Sequence, residues 1–247
     1  MKNGTRRSTL ALGAGLLVWA AYALADEPAR ETRDVSQPFG EVRLDADIEL
    51  ELSQSDTVSL VIEAPRDELS SIRTEVNEGV LVLGRSNSGT WKFSGWFGRH
   101  RTPRALLSAP AIERLVVDGS GSVHAAAWAS RALEVRISGS GDVKIDGLTA
   151  TRLRCDLAGS GKALLTGAVA NQRIRLSGSG DYRAPNLKSD AATVSVSGSG
   201  DSEVWAERTL DARISGSGDL RYYGTPAVTK SVSGSGSVTA LGEKRSP

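Results

Sequence analysis

One cysteine, two histidines and one methionine are all that 247 residues contain of those types. The lone Cys155 excludes an internal disulfide, so stability has to come from packing and hydrogen bonds. His100, His124 and Cys155 lie far apart in the chain, which argues against a zinc site. Charge of one sign is also missing. The chain carries 30 basic and 29 acidic residues. Without Lys2, Arg6 and Arg7 of the leader described below, 27 basic residues face 29 acidic ones, a net of −2. A chain this close to neutral is not a general nucleic-acid binder. Hydrophobic residues are nonetheless 39% of the chain, enough for a core, so disorder throughout is excluded.

The one marked apolar run, Leu10 to Ala23, follows a basic start (Lys2, Arg6, Arg7) and precedes Ala23-Leu24-Ala25. This is the pattern of an export signal with an A-x-A cleavage site. The run is short of the roughly 20 residues that a spanning helix needs. The expected organisation is a signal peptide at 1–25, a loose polar segment at 26–36, one domain at 37–242 containing an aromatic loop at 85–104, and a tail at 243–247. Thr5 to Leu10 half-resembles a twin-arginine signal but lacks Phe after Ser8, so Sec and Tat export both stay open. With no Cys beside the cleavage site, a lipoprotein is not expected. The mature chain is expected outside the cytoplasm, in the periplasm, at the cell surface or secreted. No integral membrane segment is expected after cleavage.

What the chain has in excess is glycine, 27 residues, and its placement is periodic. Gly-Ser-Gly begins at Gly119, Gly139, Gly159, Gly178, Gly198, Gly216 and Gly234, at spacings of 20, 20, 19, 20, 18 and 18. Two places before each stands an aliphatic residue: Val117, Ile137, Leu157, Leu176, Val196, Ile214 and Val232. Four places before stand Leu115, Val135, Cys155, Ile174, Val194, Ala212 and Lys230. Between them lie mostly polar residues, so each unit reads as a half-buried strand. Alternation resumes after the glycines with Ala125, Ile145, Leu165, Ala184, Val204, Tyr222 and Ala240. Gly147, Gly167, Asn186, Gly224 and Gly242 follow two places later, as turn residues that accept positive φ.

Such a unit is too short to hold a crossover helix. It is therefore expected to coil, each turn pairing in parallel with the last at about 4.8 Å. The fold expected is all-β, a single-stranded parallel β-helix (β-solenoid) with about seven Gly-Ser-Gly coils and irregular coils from residues 39–85 before them. An antiparallel sandwich of hairpins is the alternative. Stacked serines would let hydroxyls bond between coils. Arg114, Glu134 and Arg154 would neighbour one another on one outward row, with Arg136, Asp156 and Arg175 on the next. Pro65 to Leu69 can form one helical turn. At the far end, Lys230 and Pro226 would blunt the last edge.

The framework Leu133 to Ile145 resembles the bacterial "putative auto-transporter adhesin, head GIN domain" family. So do the opening strands at Phe39, Val42, Ile48 to Leu52, Val58 to Ile62 and Gly79 to Leu83, and the stretch Ala109 to Leu115. The resemblance implies an exported β-helical domain without established enzymatic activity. The chain lacks coiled-coil stalk heptads, C-terminal barrel strands and a wall-sorting tail, so autotransport is not implied.

No cofactor is expected. Asp142, Asp181, Asp201 and Asp219 follow the glycines and invite a calcium reading, but Lys162 breaks their row and Asp commonly bonds turn amides. His124 lies near Ser120 and Ser122 without a third partner, and Cys155 occupies an inward place, so neither reads as catalytic. Gly-x-Gly has no helix after it to bind a nucleotide. The aromatic loop holds Trp91, Phe93, Trp96, Phe97, Lys92, Arg99, His100 and Arg101. It either packs over an edge or contacts a ligand. Arg114, Arg136, Arg154, Arg173, Arg175 and Arg213 either form a basic stripe for acidic glycans or pair with the interleaved acids. Candidate contacts are Trp91, Phe93, Trp96, Phe97, Arg99, Arg136 and Arg175. The expectation is a non-enzymatic, adhesin-like envelope or surface protein that binds or scaffolds an envelope glycan or protein, with the oligomeric state open. A polysaccharide lyase or hydrolase is the alternative.

Overall fold

The computed structural model describes residues 28–86 and 102–244. The segment before the repeats supplies β1 (Ala29–Arg33), β2 (Glu41–Leu44), β3 (Glu49–Gln54), β4 (Ser59–Ala64), β5 (Ile72–Asn77), β6 (Val80–Arg85) and β7 (Arg104–Ala109). The repeats begin with β8 (Arg114–Gly119) and β9 (Ser122–Ala125). Five long strands then bend round the axis: β10 (Trp128–Gly139), β11 (Asp142–Gly159), β12 (Lys162–Gly178), β13 (Asp181–Gly198) and β14 (Ser202–Gly216). The last coils are β15 (Leu220–Tyr223), β16 (Ala227–Gly234) and β17 (Val238–Gly242).

The molecule is a parallel β-solenoid. Residues before each Gly-Ser-Gly stack into one sheet, in the order β6, β2, β8, β10, β11, β12, β13, β14, β16. Val135 pairs with Cys155 and Cys155 with Ile174, as the repeat spacing requires. Residues after the corner stack into a second sheet through β7, β3, β9, β11, β12, β13, β14, β15 and β17. A third wall runs through Trp128, Leu148, Gly167 and Leu187. The inward aliphatic rows are buried from Val42 to Ile214, and each fully buried Val, Leu or Ile is worth about 1.5–3 kcal/mol over leaving it exposed.

The corners explain the glycines. All seven first glycines take φ between 121° and 152°, a region that side chains avoid. The second glycine is needed for a different reason. A Cβ on Gly180 would lie 2.5 Å from the carbonyl oxygen of Gly161 in the coil below. Between the two glycines, the serine amide bonds to the preceding coil, as in Ser140 N to Gly119 O at 2.9 Å and Ser179 N to Gly159 O at 2.9 Å. The expected serine bond between coils thus comes from the backbone amide instead of the hydroxyl. Of the later turn residues, Gly167, Gly224 and Gly242 have positive φ. Gly147 and Asn186 do not.

The N-terminal segment departs from a simple run of starting coils. The coil β2–β3 sits between β8–β9 on one side and β6–β7 on the other, so the second coil in space comes first in sequence. Beyond β6 and β7 the pairing turns antiparallel: β5 covers β6, β4 covers β7, and β1 covers β4. These strands close the parallel edges that would otherwise template aggregation. The β5–β6 turn at Glu78 and Gly79 has φ of 49° and 80°, as a tight hairpin requires. The expected helical turn forms slightly later, as a 3-10 turn at Leu69–Ser71.

At the other end no strand among the described residues covers β16, and Val228 and Val232 are 38% and 42% exposed. Lys230 continues the inward row opposite Ala212 there. Lys244 folds back over Tyr223, 4.5 Å from the ring centre, and donates to Pro185 O at 2.8 Å.

Gly180→Ala is expected to cost about 1–3 kcal/mol or more, as overpacking against backbone does. Gly40→Ala, where a Cβ meets nothing within 4 Å, is expected to stay within about 0.5 kcal/mol. Urea unfolding of the two variants checks the difference.

Candidate functional site

The outward face of the first sheet carries two charged rows. Strand alternation places Glu41, Arg114, Glu134, Arg154, Arg173 and Thr193 on one row. Val116, Arg136, Asp156, Arg175, Ser195 and Arg213 form the next. Val116 is the exception to polar alternation and is only 4% exposed.

The early coils satisfy their own charges. Arg114 lies 2.9 Å from Glu134 and 3.5 Å from Glu41. Arg136 lies 3.2 Å from Glu134, and Arg154 2.8 Å from Asp156. The hydrogen bond that Arg154 donates to the Asp156 carboxylate raises the pKa of Arg154 further above its ordinary value. Arg213 pairs with Asp211 at 2.8 Å. Exposed pairs of this kind contribute about 0.2–1 kcal/mol each. Arg152, Arg173 and Arg175 make no ion pair among the described residues. Of the two described arginines expected to contact a ligand, Arg136 is thus committed to Glu134, while Arg175 has no ion pair among the described residues. Trp91, Phe93, Trp96, Phe97 and Arg99 lie outside the described residues.

A groove of about 800 Å³ runs along the beginning of these strands, from the β5–β6 turn to β13. It crosses six strand spacings, roughly 29 Å at about 4.8 Å each. Its charges are segregated: Glu78, Glu41, Glu113 and Glu134 lie toward one end, Arg152, Arg154 and Arg173 toward the other, with Arg114 among the acids.

The Asp residues after the corners have a structural task. Asp142 Oδ1 accepts from Lys162 N at 2.9 Å, Asp201 Oδ1 from Asp219 N at 3.0 Å, and Asp219 Oδ1 from Ser237 N at 2.8 Å. Each carboxylate is turned to the amide of the coil above. Among the described residues no group of three or more His, Cys, Asp or Glu is arranged to hold a metal ion.

His124 sits on the outer face of the second sheet, on the same face of β9 as Ser122. Its Nδ1 lies 3.1 Å from Glu51 and its Nε2 2.9 Å from Asp146. Lys144 reaches Asp146 at 2.7 Å, and Arg104 reaches Glu51 at 3.3 Å. The Asp146 hydrogen bond raises the His124 pKa, against partial desolvation and with help from Glu51. Lys144, then His124, hold the Asp146 carboxyl below its usual value. The cluster ties β3, β9 and β11 together. Asp146, in the repeat unit next to that of His124, was within reach of sequence reasoning. Glu51 was not, because it comes from the threaded coil.

Inside the solenoid, Tyr182 Oη donates to Gln172 Oε1 at 2.9 Å, Gln172 Nε2 donates to Ser189 Oγ at 2.8 Å, and Ser189 Oγ donates to Trp205 O at 2.7 Å. Burial pushes the Tyr182 and Cys155 pKa values up, so both stay neutral. Neither is placed for chemistry on a solvent-borne substrate.

A stack of parallel coils with charged outer faces defines a parallel β-solenoid. The family model for the "putative auto-transporter adhesin, head GIN domain" matches residues 38–226, and the chain belongs to that family. Among solved structures, a putative adhesin from Bacteroides fragilis is 22% identical with a TM-score of 0.79, over 87% of this chain and 98% of its own. A putative lipid binding protein from Parabacteroides distasonis is 24% identical with a TM-score of 0.71, over 87% and 97%. A putative adhesin from Parabacteroides merdae is 17% identical with a TM-score of 0.69, over 87% and 97%. At these identities the likeness is one of fold. No curated protein matches the chain. Among the described residues no helix is long and apolar enough to cross a membrane.

The His124 contribution to stability has a definite sign. A raised folded pKa means that it is fully present below the ordinary histidine value of about 6.5 and lost as pH rises through the folded value. Melting temperature is expected to fall more for the parent than for His124→Gln between about pH 6 and about pH 8. Equal slopes would show that the imidazole carries no net charge interaction.

Proposed function

We propose that this chain is an exported, non-enzymatic cell-envelope or surface protein of adhesin-like type, acting as a binding or scaffolding module. The observation that carries this reading is the groove on the outward face of the first sheet. It is long and open, its floor is rigid because every strand beneath it is paired on both sides, and its ends carry opposite charge. Such a surface suits an extended partner, an envelope glycan or protein, held by many weak contacts. Family membership supports the same reading. In this proposal residues 1–25 are the cleaved signal, 37–242 the binding domain and 243–247 a tail, while the segment expected to be loose at 26–36 instead contributes β1, paired with β4. Trp91, Phe93, Trp96, Phe97 and Arg99 would add stacking and anion contacts to that of Arg175, and Arg136 would join them only by exchanging Glu134 for the ligand.

Catalysis on a glycan would need converging acid and base groups at one point of the groove. Arg114, Arg136 and Arg154 instead hold Glu134 and Asp156 in ion pairs.

Fractionation of cells expressing the tagged full chain is expected to place it outside the cytoplasm. The purified protein is expected to be retained by envelope material without releasing sugar. Replacing Trp91 and Trp96 by Ala is expected to weaken retention without lowering the melting temperature. A cytoplasmic location, or turnover of an acidic polysaccharide, would overturn the proposal.

A further inference from the structure

The charges in the groove are not all spoken for. Arg154 and Arg173 stand directly opposite each other in the parallel register. Like charges in that position are destabilising. Arg154 leans on Asp156, but Arg173 has no carboxylate partner among the described residues, and neither does Arg152 on the same strand as Arg154. Three guanidiniums therefore gather at one end of the groove with a single ion pair to Asp156 and a long one, 4.0 Å, to Glu134. Burying this end under an anion would remove a repulsion that the fold otherwise tolerates.

We propose that the Arg152, Arg154 and Arg173 end of the groove binds a linear acidic polysaccharide, pairing the guanidiniums with its sugar carboxylates. This rests on the envelope-binding function above and names the ligand class of the same groove. Three features select that class. Bidentate pairing with a planar carboxylate is what guanidinium geometry offers. The groove strands are paired on both sides, so a peptide finds no free edge for strand addition. Glu78 and Glu113 line the opposite end and would repel a densely charged strand such as a nucleic acid. A glycan with widely spaced carboxylates meets the arginines with one acidic unit and lays neutral units along the rest. Asn171 and Thr193, which line the same end, supply hydrogen-bonding groups for sugar hydroxyls.

The test is titration of the full chain with an octasaccharide of alternating glucuronate and N-acetylglucosamine. A neutral N-acetylglucosamine octamer and a poly-glutamate peptide are the comparison ligands. The glucuronate oligomer is expected to bind best, and less tightly as salt is raised. Arg152→Ala and Arg173→Ala are each expected to weaken it roughly tenfold. Arg213→Ala, whose guanidinium is held by Asp211 on the same sheet, is expected to leave it unchanged. Both groove arginines are exposed, and Arg173→Ala is expected to melt no lower than the parent, because it removes a like-charge neighbour. Preference for the neutral oligomer, equal binding of poly-glutamate, or full binding by a variant carrying both Arg152→Ala and Arg173→Ala would each overturn the proposal. If the protein is still retained by envelope material in that event, only the ligand class falls and the binding-module function stands.

Discussion

Everything in this molecule depends on how closely one coil can approach the next at the corner. Parallel strands sit about 4.8 Å apart, and at the corner the chain turns while keeping that spacing. The carbonyl of one coil then occupies the place where a side chain of the next would begin. Gly180 above Gly161 shows the constraint at one corner, and the serine amide bond to the coil below shows what the close approach secures. Side chains elsewhere vary more freely, although Gly167 and Gly224 on the later turns also lie too close to the neighbouring coil's backbone to admit a Cβ.

Two consequences follow from that spacing. Inward, the aliphatic residues two and four places before each corner stack into continuous rows, so no disulfide or metal is needed to hold the chain. Outward, each charged residue gains neighbours one coil away, and the sign of those neighbours decides whether a position is structural or available. Glu134 draws in Arg114 and Arg136 and leaves that stretch electrostatically closed. One coil further on, the replacement of Glu134 by Arg154 and then Arg173 in the same row leaves charge to spare. The charge asymmetry of the groove thus comes from a change of residue along a row, on a backbone that does not change.

The repeats were legible in the sequence because their signal is redundant. Seven copies at nearly constant spacing determine register, so the pairing of Val135 with Cys155 and Ile174 could be read before any coordinates. The N-terminal strands carry the same alternation without the copies. Their alternation places Val42, Leu50 and Leu60 inward, but nothing local says that β2–β3 threads between β6–β7 and β8–β9. That is why Glu51 could not be foreseen as a partner of His124. The buried Gln172 and Ser189 were missed for a related reason. They lie on the return segment, where the repeat is less regular, and only the fold shows that Tyr182 reaches inward to meet Gln172. The site was half legible: the arginines could be named, but which of them were already paired depended on side-chain geometry.

Cysteine cross-linking across the outer face tests the stacked-coil arrangement most directly. Ser138 lies beside Ala158, and Ala158 beside Ser177, on consecutive coils. Mild oxidation of the full chain should close an intramolecular disulfide in Ser138→Cys with Ala158→Cys, where neighbouring Cα atoms fall within the roughly 4.4–6.8 Å that a disulfide spans. Ser138→Cys with Ser177→Cys, two coils apart, should stay reduced. Closure of the second pair as readily as the first would contradict the stack.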